Sequence, residues 1–178
     1  GLVDTRLRIS SIEPRSLKND FIDLLAQSDG RICRHLHLPL QSGSSRVLQE
    51  MNRPYNANDY VALVDSLKDR VGDISLTTDV IVGFPGETDQ DFEQTCHVAR
   101  EVGFSKIHVF RYSKRAGTPA ALRTDQIDPQ IKETRAHTLL ELSKELRLTY
   151  ANRNSNRTEH VVVEQLGWGM SESYYKIH

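Results

Sequence analysis

One run constrains the fold of this chain more than any other. Ile74 to Val82 (ISLTTDVIV) is rich in β-branched residues and ends in the turn Gly83-Phe84-Pro85-Gly86. That turn delivers Thr88, with Asp91 at the spacing of a capping box, so a helix is expected next. A strand that passes through a glycine turn into a helix is the first half of a parallel βαβ unit.

The same alternation recurs along the chain. Arg6 to Ser11 (RLRISS) alternates and stops at Glu13-Pro14, which predicts a strand. A helix is predicted from about Leu17 to Gln27, with Ser16 as its N-cap and Leu17, Phe21, Leu24 and Leu25 facing inward. His35 to Leu38 (HLHL) predicts a short strand closed by Pro39, and Gln41 to Ser44 a loop that caps a helix over Ser45 to Met51. After the break at Asn52-Arg53-Pro54, a helix over Ala57 to Asp69 turns Tyr60, Leu63, Val64 and Leu67 inward. The helix opened by Thr88 runs to about Val102 and carries Phe92, Cys96, Ala99 and Val102 on one stripe. Lys106 to Phe110 predicts a fourth strand, and Asp128-Pro129 opens a long helix to about Ala151.

Strands and helices alternating at spacings of roughly 30–40 residues make parallel βαβ units. A closed eight-fold barrel needs about 250 residues. At 178 residues the expectation is an α/β fold of about four parallel βα units, either half a TIM-like barrel or an open sheet. Beyond about Asn156 the character changes to a β-rich tail: Glu159 to Glu164, Gly167-Trp168-Gly169, then Ser173 to Ile177. Two units are therefore expected, residues 1–156 and a truncated 157–178. The start at Gly1 without a methionine reads as a cut within a longer protein.

Composition removes several function classes. The net charge of −1 gives no global field to hold a polyanion, so nucleic-acid binding needs a local basic patch. Two cysteines, Cys33 and Cys96, are too few for a Cys-ligated zinc or iron–sulfur site. The apolar runs are too short for a transmembrane helix and no secretory signal opens the chain, which leads to the expectation of a cytoplasmic protein away from membranes. An open sheet of four strands also leaves bare edges that invite edge-to-edge self-association.

In parallel α/β folds the chemistry gathers at the carboxyl ends of the strands. That rule selects four loops. The first carries Glu13, a carboxylate just past a strand. The second follows His35 and His37, which face the same way and, with His108 and Asp79, offer ligands to a metal-dependent barrel hydrolase; hydrogen bonding in a polar barrel mouth is the other reading. Gln41 and Ser42 there suit a sugar, a carboxylate or a helix N-terminus. The third loop has Gly83 and Gly86, which allow close approach to a ligand, and lacks the ending of a P-loop. Asp79 shares its strand face with Thr77 and Ile81. The fourth gathers Lys106, Arg111, Lys114 and Arg115 with no acid between them, a seat for phosphates or a substrate carboxylate, or a solvated surface.

Read together, the strings RLRISSIEP, HLHLPLQSGSSRVLQEMNRPY, TTDVIVGFPGETDQDF and HVFRYSKRAGTPA resemble, in that order, the radical SAM methylthiotransferases that modify tRNA, the MiaB/MtaB group. The resemblance covers about Arg6 to Ala151. SSIEP and HVFRYSKRAGTPA are similar to the MtaB-like branch, which acts on threonylcarbamoyladenosine beside the anticodon. EHVVVEQLGWGMSESYYKI (Glu159 to Ile177) is similar to the opening of the tRNA-binding TRAM domain.

The resemblance implies strands three to six of a six-stranded partial barrel that holds S-adenosylmethionine and a 4Fe-4S cluster. The family's CxxxCxxC cluster motif has no match here, so the piece itself is expected to be inactive and to bind neither group. Ile81 would pack on the cofactor adenine. Asp79 stands where the family's motif has glycine, and the trailing glutamate falls at Glu87, one residue late. Gln41 and Ser42 would reach the ribose; Glu13, His37, Asp79 and Gly83 would line the same mouth. Arg111 would lie near the methionine end of the cofactor or the substrate, and Lys114 and Arg115 would meet tRNA. A tRNA-binding module without catalysis is the further alternative.

Overall fold

The computed structural model describes residues 5–178; Gly1 and the first residues of the expected 1–156 unit lie outside them. The described chain forms two sheets. The first contains β1 (His35–His37), β2 (Ser75–Val82) and β3 (Lys106–Arg111), all parallel and in that spatial order. Register pairs His37 with Thr77, Asp79 with His108 and Ile81 with Phe110. Helices connect the strands: α2 (Ser45–Glu50) and α3 (Ala57–Val71) between β1 and β2, then α4 (Asp89–Val102) before β3. Preceding them is α1 (Asn19–Ala26), and following them are α5 (Pro119–Leu122) and α6 (Pro129–Arg153).

The alternation of HLHLPL decides which way this sheet faces. Leu36, Leu38 and Leu40 are fully buried and join Val80, Val64, Leu67 and Phe104 in the core beneath the helices. His35 and His37 therefore stand on the opposite face, with Thr77, Asp79 and Ile81 of β2. Thr78 fastens the irregular chain after β1, accepting from the Leu40 amide and donating to the Leu38 carbonyl, each at 2.8 Å. Tyr60 donates to the same carbonyl at 2.7 Å. These side-chain bonds replace the ladder that Pro39, which has no N–H, interrupts.

The helix starts follow their sequence signals. Thr88 with Asp91 and Asn56 with Asp59 form complete capping boxes, Asp128 caps α6 with Pro129 at its first position, and Ser44 caps α2. Two details differ. The first helix starts at Asn19 with Lys18 as an N-cap that makes no side-chain bond, after a 3-10 turn over Pro14–Ser16. A proline there makes a tight turn that uses up Ser16. Its inner face also rotates: Ile22 is buried and Leu24 is exposed.

Arg6 to Ser11 does not form a continuous strand. It touches the sheet through isolated parallel bridges, Leu7 to Ile32 and Ser11 to His37, which are out of step with each other by one residue and so do not join into a ladder. The sheet thus has three strands and a bridged edge. On the far side the Ile107 amide donates to Ser143 of α6 at 2.9 Å, so less edge is bare than the sequence implies for self-association.

The tail forms the second, antiparallel sheet: β4 (Val161–Gln165), β5 (Trp168–Ser171) and β6 (Lys176–Ile177). The strand expected over Ser173 to Ile177 is shorter, since Tyr174 takes a positive φ of 67° and makes a turn. That turn joins tail to sheet. Tyr174 stacks on His35 with ring centroids 4.7 Å apart, and the Arg8 guanidinium covers the Tyr174 ring at 5.1 Å. Next to it, Tyr175 stacks on Tyr150 of α6 at 5.8 Å and donates to the Arg147 carbonyl. No helix among the described residues is long and apolar enough to cross a membrane.

Candidate functional site

The carboxyl ends of β1, β2 and β3 open into one cleft of about 680 Å³. Gln41 lines it from the chain after β1, Asp79 and Ile81 from β2, and Arg111 and Arg115 from the end of β3 and its loop. Five expected residues thus meet in one place. Gln41 sits with φ 66°, a conformation that costs a non-glycine residue about 1 kcal/mol. Its amide donates to the Asp79 carbonyl at 2.8 Å, and its carbonyl accepts from the Ile81 amide at 2.9 Å. This parallel bridge holds the strained backbone against β2 and sets Gln41 beside both residues.

Further down the same face, the His37 ring lies between Thr77 and Asp79, with Nδ1 3.0 Å from Thr77 Oγ1 and Nε2 3.3 Å from Asp79 Oδ2. His108 packs edge-on to His37 at 5.7 Å, and burial, then Lys106, pushes its pKa down. His35 also meets Thr77 Oγ1 at 3.0 Å. Burial first, then Arg8 and His37, pushes the His35 pKa down to about 3, so this imidazole is neutral at physiological pH. The histidine pair is committed to one hydroxyl. No group of three His, Cys, Asp or Glu among the described residues is placed to hold a metal ion, which leaves the hydrolase reading without a centre there.

Other expected residues lie around the cleft rather than in it. Glu13 is half-exposed and pairs with Arg53, itself a cleft residue, at 3.3 Å. Lys114 is exposed on the loop. Ser42 is buried and turns toward α4, where it accepts from the Ser44 amide and lies 3.4 Å from Thr95 Oγ1. Behind it, a Cβ on Gly43 would stand 2.5 Å from the Thr95 Cα, so only glycine lets α4 pack this closely.

Gly83 adopts φ 72° and faces α6, where a Cβ would meet the Lys132 side chain at 2.3 Å. Its amide, which on sequence grounds suits an external anion, is taken by the buried Glu87 carboxylate at 2.9 Å.

Sequence reasoning missed several cleft residues. Met51, Asn52 and Arg53 reach it from the end of α2, and Asn52 has φ 56° there. The break Asn52-Arg53-Pro54 was the available signal, since asparagine tolerates that conformation at a helix end. Phe84 and Phe110 also line the cleft, Phe110 with half its surface exposed.

The radical SAM superfamily profile matches residues 2–99, more than half of the chain. The chain belongs to the radical SAM superfamily.

Curated relatives refine the placement. The chain is 43% identical over 160 residues to the threonylcarbamoyladenosine tRNA methylthiotransferase MtaB of Bacillus subtilis, covering 90% of this chain and 35% of that protein. It is 42% identical over 176 residues to the tRNA-2-methylthio-N(6)-dimethylallyladenosine synthase of Acetivibrio thermocellus, covering 97% and 35%. It therefore spans about a third of the length of these relatives. Among solved structures, the radical SAM coproporphyrinogen III oxidase of Escherichia coli matches with TM-score 0.62 and 22% identity, over 80% of this chain and 33% of that one. An archaeal Elp3 from Methanocaldococcus infernus matches with TM-score 0.58 and 11% identity, over 94% and 52%. These two likenesses concern the fold: a parallel sheet with outer helices, part of a TIM-like barrel.

A cluster of the kind radical SAM proteins hold does not fit the described residues. Cys33 and Cys96 are both buried, Cys33 ahead of β1 and Cys96 on α4, and no third thiol accompanies them. The donor set for S-adenosylmethionine fits better: an apolar edge at Ile81 beside the Asp79 carboxylate and the Gln41 amide, in a cleft with positive charge at its rim.

Proposed function

We propose that this chain is part of a tRNA methylthiotransferase: residues 1–156 as strands three to six of its radical SAM barrel, and 157–178 as the opening of a TRAM-like RNA-binding module. The observation that carries this reading is the cleft, where Gln41, Asp79, Ile81 and Arg111 converge from strings separate in sequence. Bound S-adenosylmethionine would supply the radical chemistry that an adenine C–H bond requires, with a reducing cluster held by residues outside this sequence.

This chain's own residues bind and orient. Ile81 gives the cofactor adenine an apolar face, and Asp79 accepts from hydroxyl or ammonium donors. His37 holds Asp79 in place. Arg111 and Arg115 at the rim attract the tRNA backbone, with Lys114 outside them. They also suit an acid group on the substrate, which favours threonylcarbamoyladenosine, whose threonyl moiety carries a carboxylate, over the wholly apolar dimethylallyl modification.

The test is nucleoside mass spectrometry of tRNA from cells lacking the gene. The expected result is loss of one methylthio-adenosine derivative, restored by the intact gene and not by its Asp79→Ala or Arg111→Ala forms. Unchanged tRNA modification in the deletion refutes the activity; loss of a dimethylallyl species refutes the substrate assignment. Cytoplasmic tRNA as the partner belongs to the same reading.

A further inference from the structure

The loop after β2 is held from behind by a buried ion pair. Glu87 Oε2 accepts from the Gly83 amide at 2.9 Å and from the Phe84 amide at 3.4 Å. Its other oxygen meets Arg135 Nη1 of α6 at 2.9 Å. The same Nη1 lies 3.1 Å from the Glu87 carbonyl, and Nη2 reaches Asp89 in the first turn of α4 at 2.7 Å. Arg135 and Glu87 are 6% and 5% exposed, so this guanidinium is the close counter-charge of a desolvated carboxylate. The Phe84 ring beyond the loop faces the cleft and packs edge-on to Tyr112.

We propose that Arg135 is a positioning residue that pairs with the Glu87 carboxylate and thereby fixes the Gly83 and Phe84 amides at the cofactor side of the cleft. The inference rests on the reading of this cleft as the S-adenosylmethionine mouth. A loop whose amides are already satisfied by its own carboxylate does not bind an external anion; it presents Phe84 and Ile81 as a fixed wall.

Removing the guanidinium leaves a buried carboxylate whose pKa burial already pushes up. Protonation then weakens the acceptor that the two amides share. The charges around Glu87 come from four elements. Lys132 of α6 lies beside Gly83, and Asp89 and Cys96 belong to α4. Arg46 of α2 donates to the Gly86 carbonyl at 2.7 Å, while Arg123 and Asp125 flank Gly86 from the chain before α6. Arg46 is bound to Asp91 and Glu50, and Arg123 to Asp125 and Glu50, so neither replaces Arg135.

The experiment compares amide hydrogen exchange at Gly83 and Phe84 between the chain and its Arg135→Gln variant at matched pH, without cofactor. Exchange is expected to quicken about tenfold at the acid end of the range in which the fold holds, and to move toward the parent rate as pH rises and Glu87 regains its charge. The double variant Glu87→Gln/Arg135→Gln, which carries no buried charge, should exchange at a pH-independent ratio, and Arg135→Lys should restore part of the protection. A ratio for Arg135→Gln that is flat across pH, or equal to one, overturns the positioning role. Affinity of the full-length protein for S-adenosylmethionine separates the two claims. Weaker binding that tracks the loss of protection supports both, and lost protection with unchanged affinity overturns the cofactor reading alone.

Discussion

Asp91 is the junction on which the outer helices turn, and its replacement by asparagine has a cost that the geometry sets. One carboxylate oxygen accepts from Ser44 Oγ at 2.6 Å and from Arg46 Nε at 3.3 Å. The other accepts from the Thr88 amide at 2.8 Å, from Thr88 Oγ1 at 2.6 Å and from Arg46 Nη2. The N-terminus of α4 is thereby tied to that of α2. Although burial pushes its pKa up, the bonds from Arg46, Ser44 and Thr88 hold Asp91 well below the usual carboxylate range.

Asparagine turns one of those oxygens into a donor that faces donors. A hydrogen bond to a charged group contributes about 1.5–3 kcal/mol, and such bonds do not add fully. The Arg46 share is discounted because that side chain is 46% exposed, whereas Asp91 is 7% exposed. A loss of about 3 kcal/mol follows, which at a urea dependence of about 2 kcal/mol/M moves the unfolding midpoint down by about 1.5 M at pH 7. The sign with pH is fixed. A depressed folded pKa stabilises above the unfolded value of about 3.9 and is lost as pH falls through the folded one, so the gap between parent and variant narrows only below about pH 4.5. A midpoint shift under about 0.5 M, or a gap that already closes near pH 6, refutes this account of the junction.

Gly43→Ala forces α4 off the loop and should cost about 2–4 kcal/mol by urea unfolding, because the Thr95 Cα would be only 2.5 Å from the new Cβ. Tyr174→Ala removes the ring between His35 and Arg8 and should let a protease cut between α6 and β4 several-fold faster, with the parallel sheet left folded by circular dichroism. Lys114→Ala with Arg115→Ala should weaken tRNA binding in filter assays and lower the slope of log affinity against log salt by about 1–2; an unchanged slope removes that loop from the RNA interface.

The sequence carried much of the fold because its signals are local. β-branched runs, the Thr88 capping box and Asp128-Pro129 act within a few residues, and both helix starts they mark are present. Arg6 to Ser11 is not a strand because alternation does not set register with a neighbour; its bridges to Ile32 and His37 are out of step by one residue. The cleft was legible where a side chain follows strand parity, as for Asp79 and Ile81. It was not legible for Ser42, whose direction depends on the close approach of α4 at Gly43. Nor could Glu87 be assigned a partner, since Arg135 is 48 residues away in sequence and meets it only through packing of α6.

That helix has one more consequence. Lys132 and Arg135 near its start brace the cleft loop, and Arg147 and Tyr150 near its end receive Tyr175 of the tail. The stretch of α6 from Arg135 to Tyr150 acts as a ruler of about 22 Å between two keyed ends. One residue inserted between the keys would swing the far end by about 100°, turning Tyr150 away from its partner. Descendants of this sequence can therefore change the composition of α6 freely on its outer side, but its length only in near-whole turns.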